Sequence, residues 1–375
     1  MQPIRIGVIG VGIIGKAHLQ QYAGIPGAKV VAVCDINEQE ARQAADLYGI
    51  PHVYTDYKDM LARDDIDAVD VCLHNNFHAP LTIAALRAGK HVYCEKPLAG
   101  SYADGISMLE AARETGRKLH IQLNTLYKKE TKAAKALIDD GQLGRIFHGR
   151  SNGFRRRGRP YVDGFGTVHF TRKSSAGGGA LLDMGVYHIA QMLYLLGVTE
   201  VERMTGRMIQ EMDMDLQRRD ESGFDVEELA LGFVTFKGGV TLDIFEAWAV
   251  HLDGIEGSSI VGSQGGIRLP SYHSGEQTGS FSFHTTVADL DLNSTVDLNR
   301  MDIRWHRMRA NEDAYDSSQH HWVAALQERV ELLPTAEIAL ATLLISEGMY
   351  LSHTLGREVA MDEIAANSRS LAVQI

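Results

Sequence analysis

IRIGVIGVGIIG, residues 4–15, is the stretch that decides the fold of the N-terminal part of the chain. Its first six residues form a compact run typical of a β-strand, and the residues from Ile13 to Gly24 are typical of a helix. Between them, Gly10, Gly12 and Gly15 match the pattern G-x-G-x-x-G. The pattern alone is weak in a chain with 37 glycines, but between a strand and a helix it predicts a turn that binds the pyrophosphate of a dinucleotide.

An acidic residue follows the second predicted strand. Lys29–Cys34 is almost continuously apolar, and Asp35 comes about 20 residues after the last glycine of the motif, where a carboxylate can accept hydrogen bonds from the adenosine ribose. The backbone N–H groups of Ile13 and Ile14 would face the phosphates at the helix start. A carboxylate at this point repels a 2′-phosphate, and Ile36 adds no positive charge. We therefore expect NAD to be preferred over NADP.

Two patterns of secondary structure divide the chain. Up to about residue 124, strands and helices alternate, which predicts a parallel sheet with right-handed crossovers and a ligand crevice at the carboxyl ends of its strands. Later stretches such as Glu228–Phe236 and Val240–Trp248 are longer strands with few helices between them, which predicts a mostly antiparallel sheet. The expected fold is α/β, with a Rossmann domain over 1–124 and a second α/β domain over 125–375.

Composition excludes several classes of protein. The formal net charge is −11, so the surface as a whole repels nucleic acid and anionic membranes. The run Arg155–Arg159 is more typical of a solvated loop than of a substrate contact, and the loop 155–173 offers mixed donors and acceptors without showing which point inward. Cys34, Cys72 and Cys94 lack the spacing of a metal site, and we expect no metal. With no signal peptide or membrane span expected, a cytoplasmic protein is predicted.

Three further stretches resemble the Gfo/Idh/MocA oxidoreductase family. NNFHAP, residues 75–80, is similar to the family's N-x-x-H segment. GKHVYCEKPL, residues 89–98, resembles its most characteristic motif. GGGALLDMG, residues 177–185, resembles the glycine-rich start of its active-site helix, and Asn124 resembles the asparagine that opens its second domain.

This resemblance implies a Rossmann domain joined to an α/β domain with a large open sheet. In the family that sheet commonly forms the oligomer interface, so a homodimer or homotetramer is expected. The substrates implied are sugars, polyols and related cyclic alcohols. The resemblance also implies a contact of Glu95 with the nicotinamide ribose and a cis bond before Pro97, and it adds further cofactor contacts at Asn75, His78, Glu95, Lys96, Pro97 and Asn124.

Lys96 is the first predicted catalytic residue, because it lies at the carboxyl end of a parallel strand and can hydrogen-bond the reacting oxygen. Asp183 begins a second set and would orient the substrate or the acid/base. The family pattern places a histidine four residues after this aspartate, but Tyr187 stands there and His188 follows. In a regular helix residues five apart diverge by about 140°, which favours Tyr187. The ordinary pKa of histidine favours His188, so both remain candidates.

The predicted function is NAD-dependent hydride transfer between nicotinamide and a sugar, polyol or glycoside. Two alternatives stay open. The first is a glycoside hydrolase that uses tightly held NAD with no net redox change. The second is an NAD-binding sensor without enzyme activity, against which the presence of Lys96 and Asp183 counts.

Overall fold

The computed structural model describes residues 2–271, 280–301, 304 and 311–375. The chain forms two compact units. The first comprises Met1–Leu123, Ala310–Leu340 and Arg369–Ile375, and the second comprises Asn124–Arg309 and Ala341–Ser368. The sequence placed the main boundary one residue later, and it assigned both C-terminal segments of the first unit to the second domain.

The first unit is built on a parallel sheet. Its six strands lie in the order β3-β2-β1-β4-β5-β6, and every neighbouring pair is parallel. This order is that of a Rossmann fold, in which the chain reverses direction between β1 and β4 and leaves a crevice at the carboxyl ends of the strands. The elements are β1 (Ile4–Ile9), α1 (Ile13–Ala23), β2 (Ala28–Cys34), α2 (Glu38–Tyr48), β3 (His52–Tyr54), α3 (Tyr57–Leu61), β4 (Ala68–Val71), α4 (Asn75–Arg87), β5 (His91–Cys94), α5 (Tyr102–Thr115) and β6 (Leu119–Ile121).

In the described residues, the second unit is built on a nine-stranded sheet in the order β14-β13-β12-β11-β7-β10-β9-β8-β15, in which only the β7–β10 pair is parallel. This confirms the large, mostly antiparallel sheet. From residue 124 on, the elements are 3₁₀ turns at Asn124–Tyr127 and Val168–Thr171, α6 (Lys129–Asp139), β7 (Ile146–Phe154), α7 (Lys173–Ala176), α8 (Ala180–Asp183), α9 (Gly185–Leu196), β8 (Val201–Ile209), α10 (Leu216–Ser222), β9 (Leu229–Phe236), β10 (Thr241–Ala247), β11 (Ser259–Gly262), β12 (Gly265–Arg268), β13 (Ser280–Val287), β14 (Leu290–Asp297), α11 (Ser318–Leu326), α12 (Thr335–Leu355), β15 (Val359–Ala360) and α13 (Met361–Asn367).

The core of the first unit explains why it takes up late segments of the chain. Ile6 and Val8 of β1 are fully buried, and Trp322 and Val323 of α11 are buried in the same apolar cluster. The final residues are held by polar contacts, in which the backbone N–H of Leu371 donates to an Asp104 carboxylate oxygen at 2.8 Å. Burial of the apolar surface of a tryptophan stabilises a fold by several kcal/mol. The segment that carries Trp322 therefore contributes to the stability of the first unit.

One described helix, α12, is long and apolar enough to cross a membrane by length and composition. Of its most apolar 18-residue window, 61% is buried inside the structure, as is common for the core helix of a globular protein.

Candidate active site

The turn over residues 10–15, which we call the fingerprint turn, contains three glycines, and each is required or tolerated for a different structural reason. Gly10 has φ +89°, and a Cβ there would clash with the Cys72 carbonyl oxygen. A Cβ on Gly15 would clash with the carbonyl oxygen of Gly10. At Gly12, by contrast, a Cβ would meet no atom within 4 Å. The protein itself therefore requires the first and third glycines, and the second leaves open space in which a pyrophosphate can approach the protein backbone.

The start of α1 provides a binding surface beside this opening. Gly12 is its N-cap residue, and no side chain caps the helix. The first-turn N–H groups and the positive end of the helix dipole therefore suit an anionic phosphate. Ile13 and Ile14 are 83% and 48% exposed, which is unusual for isoleucine and fits a surface that a ligand covers.

Asp35 lies at the end of β2 as predicted. One of its carboxylate oxygens accepts the N–H of Val11 at 2.9 Å, and the other accepts the N–H of Asn37 at 2.9 Å. The carboxylate is thus oriented by the fingerprint turn itself. Ile36 beside it is almost fully exposed, so no cation is supplied by that position. The geometry fits the adenosine end of a dinucleotide.

The motif GKHVYCEKPL carries β5 into the crevice end of the first unit. Lys96 is half-buried directly after the strand, and the peptide bond between Lys96 and Pro97 is cis, as the resemblance implied. Glu95 comes just before Lys96 in the same motif. Its side chain turns inward and is 7% exposed, with one oxygen accepting the N–H of Lys96 at 2.9 Å. The carboxylate therefore supports the backbone at Lys96, and its contact with the nicotinamide ribose stays a prediction.

Glu95 belongs to a buried cluster that the sequence analysis missed. We call His18, Asp70, Cys72 and Glu95 the buried cluster. His18 places Nδ1 2.9 Å from an Asp70 oxygen and Nε2 2.9 Å from a Glu95 oxygen. Cys72 Sγ lies 3.2 Å from His18 Nδ1 and donates to Asp70 at 3.3 Å. Three of these groups are close enough to hold a metal ion, but here they hydrogen-bond to one another.

The charges within the buried cluster favour a protonated His18 and an ionised Glu95. Burial opposes charge on His18, but Asp70 and then Cys72 outweigh it and raise the pKa of the imidazole well above its usual range. Burial likewise opposes ionisation of Glu95, while the hydrogen bond and charge of His18 lower the pKa of this carboxyl. The signal in the sequence was Asp70, a carboxylate inside the apolar strand β4 that needs a partner when buried.

His78 lies between two backbone carbonyl groups. Its side chain is fully buried, with Nδ1 2.7 Å from the Pro97 carbonyl oxygen and Nε2 3.0 Å from that of Leu73. Burial lowers the pKa of this imidazole. The ring of His78 thus lies between the segment after Lys96 and the residues that follow β4, and its predicted cofactor contact stays a prediction. Asn75 begins α4, and Asn124 is exposed at the start of the second unit; their cofactor contacts remain predictions.

In the second unit, Asp183 and His188 lie on two helices rather than one. α8 ends at Asp183 and α9 begins at Gly185, and the N–H of Tyr187 donates to the carbonyl of Met184, only three residues back, at 3.0 Å. The regular helix on which the spacing of Tyr187 depended is therefore absent, and helical spacing does not favour Tyr187 over His188. The choice between Tyr187 and His188 stays a prediction.

Two buried side chains, one on β10 and one directly after it, hold these residues. Trp248 is fully buried, and its indole N–H donates to an Asp183 oxygen at 3.1 Å. Glu246 of β10 is also fully buried, and one of its oxygens lies 2.9 Å from Nδ1 of His188. Neither Trp248 nor Glu246 was predicted from the sequence as a site residue. Asp183 and His188 are each fixed by a partner, which is the precision that a catalytic group requires.

The glycine-rich start of α8 is held by a buried carboxylate. Glu227 accepts the N–H groups of Gly179 at 2.9 Å and Leu181 at 3.0 Å, and it also accepts the hydroxyl of Tyr350 at 2.9 Å. Burial raises the pKa of Glu227, while these hydrogen bonds act against the rise. No side chain of the N-cap residue caps α8, so this remote glutamate satisfies its first N–H groups and sets the position of Asp183.

The arginine run is only partly the solvated loop that was predicted. Arg156 and Arg157 are exposed. For Arg159 the prediction is wrong, because its guanidinium is fully buried and binds Asp163 at 2.9 Å and Glu228 at 3.0 Å. Arg159 thus fixes the loop internally.

Comparison with known proteins agrees with both units. Residues 4–123 match the family described as "Oxidoreductase family, NAD-binding Rossmann fold", and residues 131–268 match the GFO/IDH/MocA C-terminal domain. D-glucoside 3-dehydrogenase of Escherichia coli K12 is 30% identical over 72% of this chain and 78% of its own length. D-apiose dehydrogenase of Paraburkholderia graminis is 26% identical over 96% of this chain and 90% of its own.

Shorter and structural matches fall in the same group. Inositol 2-dehydrogenase of Salmonella typhimurium is 38% identical over 39% of this chain and 45% of its own length. A levoglucosan dehydrogenase solved with NADH and levoglucosan superposes with a TM-score of 0.80 at 23% identity, over 96% of this chain and all of that one. At such identity the likeness shows the fold. Taken with the glucoside dehydrogenase and the two matched regions, it shows that this chain belongs to the Gfo/Idh/MocA family of NAD-binding oxidoreductases.

Proposed function

We propose that this enzyme transfers hydride between a nicotinamide cofactor and a hydroxyl-bearing carbon of a sugar, polyol or glycoside. The observation that carries the proposal is the fingerprint turn, in which Gly12 faces open space beside the uncapped start of α1 and the oriented carboxylate of Asp35. Relatives that act on glucosides, inositol and apiose support the substrate class. When bound, NAD⁺ supplies the hydride acceptor.

The chain's own residues divide the remaining work between them. Lys96 hydrogen-bonds the reacting oxygen and stabilises the negative charge that develops on it. Asp183, held by Trp248, orients the substrate hydroxyls. His188, held by Glu246, takes the hydroxyl proton during oxidation and returns it during reduction. Tyr187 is the second candidate for this proton transfer.

The activity is tested by following NADH formation across cyclic polyols, free aldoses and glycosides with the wild type and Lys96→Ala. We expect turnover with one group of substrates and a loss of about 10²-fold or more in the variant, with NADH affinity retained in calorimetry. Lys29→Ala, an exposed lysine on β2, is the matched control and should leave turnover unchanged. Glycoside cleavage without NADH accumulation would support the hydrolase instead. NAD binding with no reaction on any substrate would support the sensor.

We also propose a preference for NAD over NADP, on the grounds that Asp35 repels a 2′-phosphate and Ile36 offers no cation. Asp35→Ser removes this carboxylate. We expect it to lower the ratio of kcat/KM for NAD to that for NADP by about tenfold or more, since each 1.4 kcal/mol is a factor of ten. An unchanged ratio would contradict the assignment.

A homodimer or homotetramer in the cytoplasm completes the proposal. α9 packs on β7 of the large sheet. Elsewhere on that sheet, Phe233 is 45% exposed and stacks on His148, which suits a second copy of the chain. Light scattering should give a multiple of the mass of one chain, and Phe233→Lys should shift it toward the monomer. All three cysteines are free, in keeping with a reducing compartment.

A further inference from the structure

We propose that Glu246 is a positioning residue, which fixes the tautomer and orientation of His188 so that Nε2 is the ring's proton acceptor. The inference rests on the proposed function, which assigns proton transfer to His188. Its starting point is the 2.9 Å contact between a Glu246 oxygen and Nδ1 of His188. An ionised carboxylate only accepts hydrogen bonds, so the ring must carry a proton on Nδ1.

Glu246 is itself held from a second side. Its other oxygen accepts the hydroxyl of Ser151 at 3.1 Å, and Ser151 lies on the neighbouring strand β7. The carboxylate plane is thereby fixed by two strands, and the ring of His188 is fixed by the carboxylate. When a carboxylate fixes the orientation of a histidine base in this way, the ring presents one defined nitrogen to the substrate.

Gly153 makes room for the pair. It lies opposite Glu246 in the register of β7 and β10. A Cβ on Gly153 would clash with His188 Nδ1 and with the Glu246 oxygen bonded to it. At this point the sheet therefore has no side chain, and the imidazole and carboxylate fill the place of one. Any larger residue here displaces one partner or both.

The other buried glutamates of this unit are used differently. Glu227 binds backbone N–H groups of the α8 start, and Glu228 binds Arg159 and two backbone N–H groups. Both stabilise the local chain. Glu246 instead directs its charge at the side chain of His188, and a fully buried carboxylate is expensive unless its partner is well placed.

The proton balance of the step is simple. As the C–H bond of the substrate breaks and its hydride leaves for the cofactor, the O–H bond breaks and its proton goes to Nε2 of His188. The carbonyl product forms, and the ring becomes an imidazolium. The Glu246 carboxylate stabilises the imidazolium through Nδ1–H. The ring then releases the proton to solvent.

The tautomer is tested first and without substrate. In protein labelled with ¹⁵N-histidine, the His188 signals are those missing from His188→Gln. We expect the ¹⁵N shifts of wild-type His188 to show the Nδ1–H tautomer, and Glu246→Gln to reduce its population. An Nε2–H tautomer in the wild type would overturn the inference. This result is independent of turnover, so it separates failure of the inference from failure of the proposed function.

Kinetics supply the second test. Glu246→Gln should lower kcat by about 10²-fold with little change in KM, and move the acidic limb of the kcat/KM profile to lower pH, because the imidazolium loses its anionic partner. Gly153→Ala should lower kcat in the same way. Glu228→Gln is the control for loss of a buried carboxylate and should reduce stability with the limb unmoved. The positioning role would be rejected if Glu246→Gln left the acidic limb of the kcat/KM profile unmoved and kept kcat within about twofold of the wild type.

Discussion

Each of the two units holds a histidine against buried carboxylate, and the difference between the two arrangements shows what each is for. His18 is 2% exposed, and each of its two ring nitrogens lies 2.9 Å from the oxygen of a different carboxylate. His188 is 9% exposed and has Glu246 at Nδ1. A ring held at both nitrogens by anions keeps both protons and acts as a fixed cation. In the proposed mechanism the ring of His188, fixed at Nδ1 by Glu246, exchanges its proton at Nε2.

The largest effect is expected where this comparison is broken at the second unit. His188→Gln should reduce turnover by about 10²- to 10⁴-fold, the usual range for loss of an acid/base group. The glutamine amide still donates to Glu246, so the free energy of unfolding should change by about 1 kcal/mol. Steady-state kinetics and chemical denaturation on the same preparation measure both quantities.

Tyr187→Phe is the matched variant for that experiment, because it removes only a hydroxyl from the neighbouring position. We expect it to keep turnover within about tenfold of the wild type, well short of the loss typical of an acid/base group. The reverse result, a large loss in Tyr187→Phe and a small one in His188→Gln, would transfer the acid/base role to Tyr187.

At the first unit, the effect should fall on stability. His18→Leu leaves Asp70 and Glu95 buried without their shared cation, and removal of one partner from a buried ionic pair usually costs about 3–5 kcal/mol. Denaturant midpoints should show this loss relative to the wild type. A smaller loss than in His188→Leu would mean that the buried cluster is not the ionic support described here.

The fold followed from the sequence because its signals are local. The turn at Gly10 lies between a strand and a helix that are contiguous in the chain, and apolar runs such as Lys29–Cys34 identify strands buried on both faces. Arg159 was misjudged, because its burial depends on Asp163 and Glu228, and the second of these lies 69 residues away. The late segment with Trp322 was assigned to the other unit because its core partners, such as Ile6 and Val8, are distant in sequence and no local pattern indicates them.

The candidate site was predicted only in part. Lys96 and Asp183 were predicted from motifs and their catalytic roles stay predictions, while the residues that contact them were not predicted. His18 and Asp70 are 52 residues apart, and no periodicity joins them, although a carboxylate inside an apolar strand was a usable signal. Helical spacing also failed at Met184, where the chain divides α8 from α9. Contacts between distant residues and breaks in helices are set by tertiary packing, which local patterns do not record.

A smaller effect is expected at the link between the buried cluster and Lys96. Glu95→Gln keeps an oxygen for one partner but removes the charge that binds His18 and the N–H of Lys96. The free energy of unfolding should fall by about 1–3 kcal/mol, as for a lost charged hydrogen bond in a buried site. Denaturation of Glu95→Gln beside the exposed control Glu38→Gln, an α2 residue paired with Arg42, measures it. Equal effects in the two variants would contradict the supporting role of Glu95.

The pH dependence of stability gives the finest test of the comparison. The pKa of His18 is raised in the folded protein and that of Glu95 is lowered. The stabilisation from His18 is therefore complete below its ordinary pKa of about 6.5 and is lost as pH rises toward the folded value, by up to about 1.4 kcal/mol per pH unit. The stabilisation from Glu95 is complete above its ordinary pKa of about 4.3 and is lost as pH falls toward the folded value. The contribution of the pair is thus largest between about pH 4.3 and 6.5.

The triple variant His18→Gln, Asp70→Asn, Glu95→Gln has nearly the same shape without the charges, so its stability subtracted from that of the wild type isolates this contribution. We expect the difference to be flat across that window and to fall above it. His188→Gln leaves the buried cluster intact. Its free energy of unfolding should therefore fall with pH as steeply as that of the wild type above the ordinary pKa of histidine, about 6.5. If His188→Gln lost that slope and the triple variant kept it, the permanent cation would lie in the second unit, and the roles of the two histidines would be exchanged.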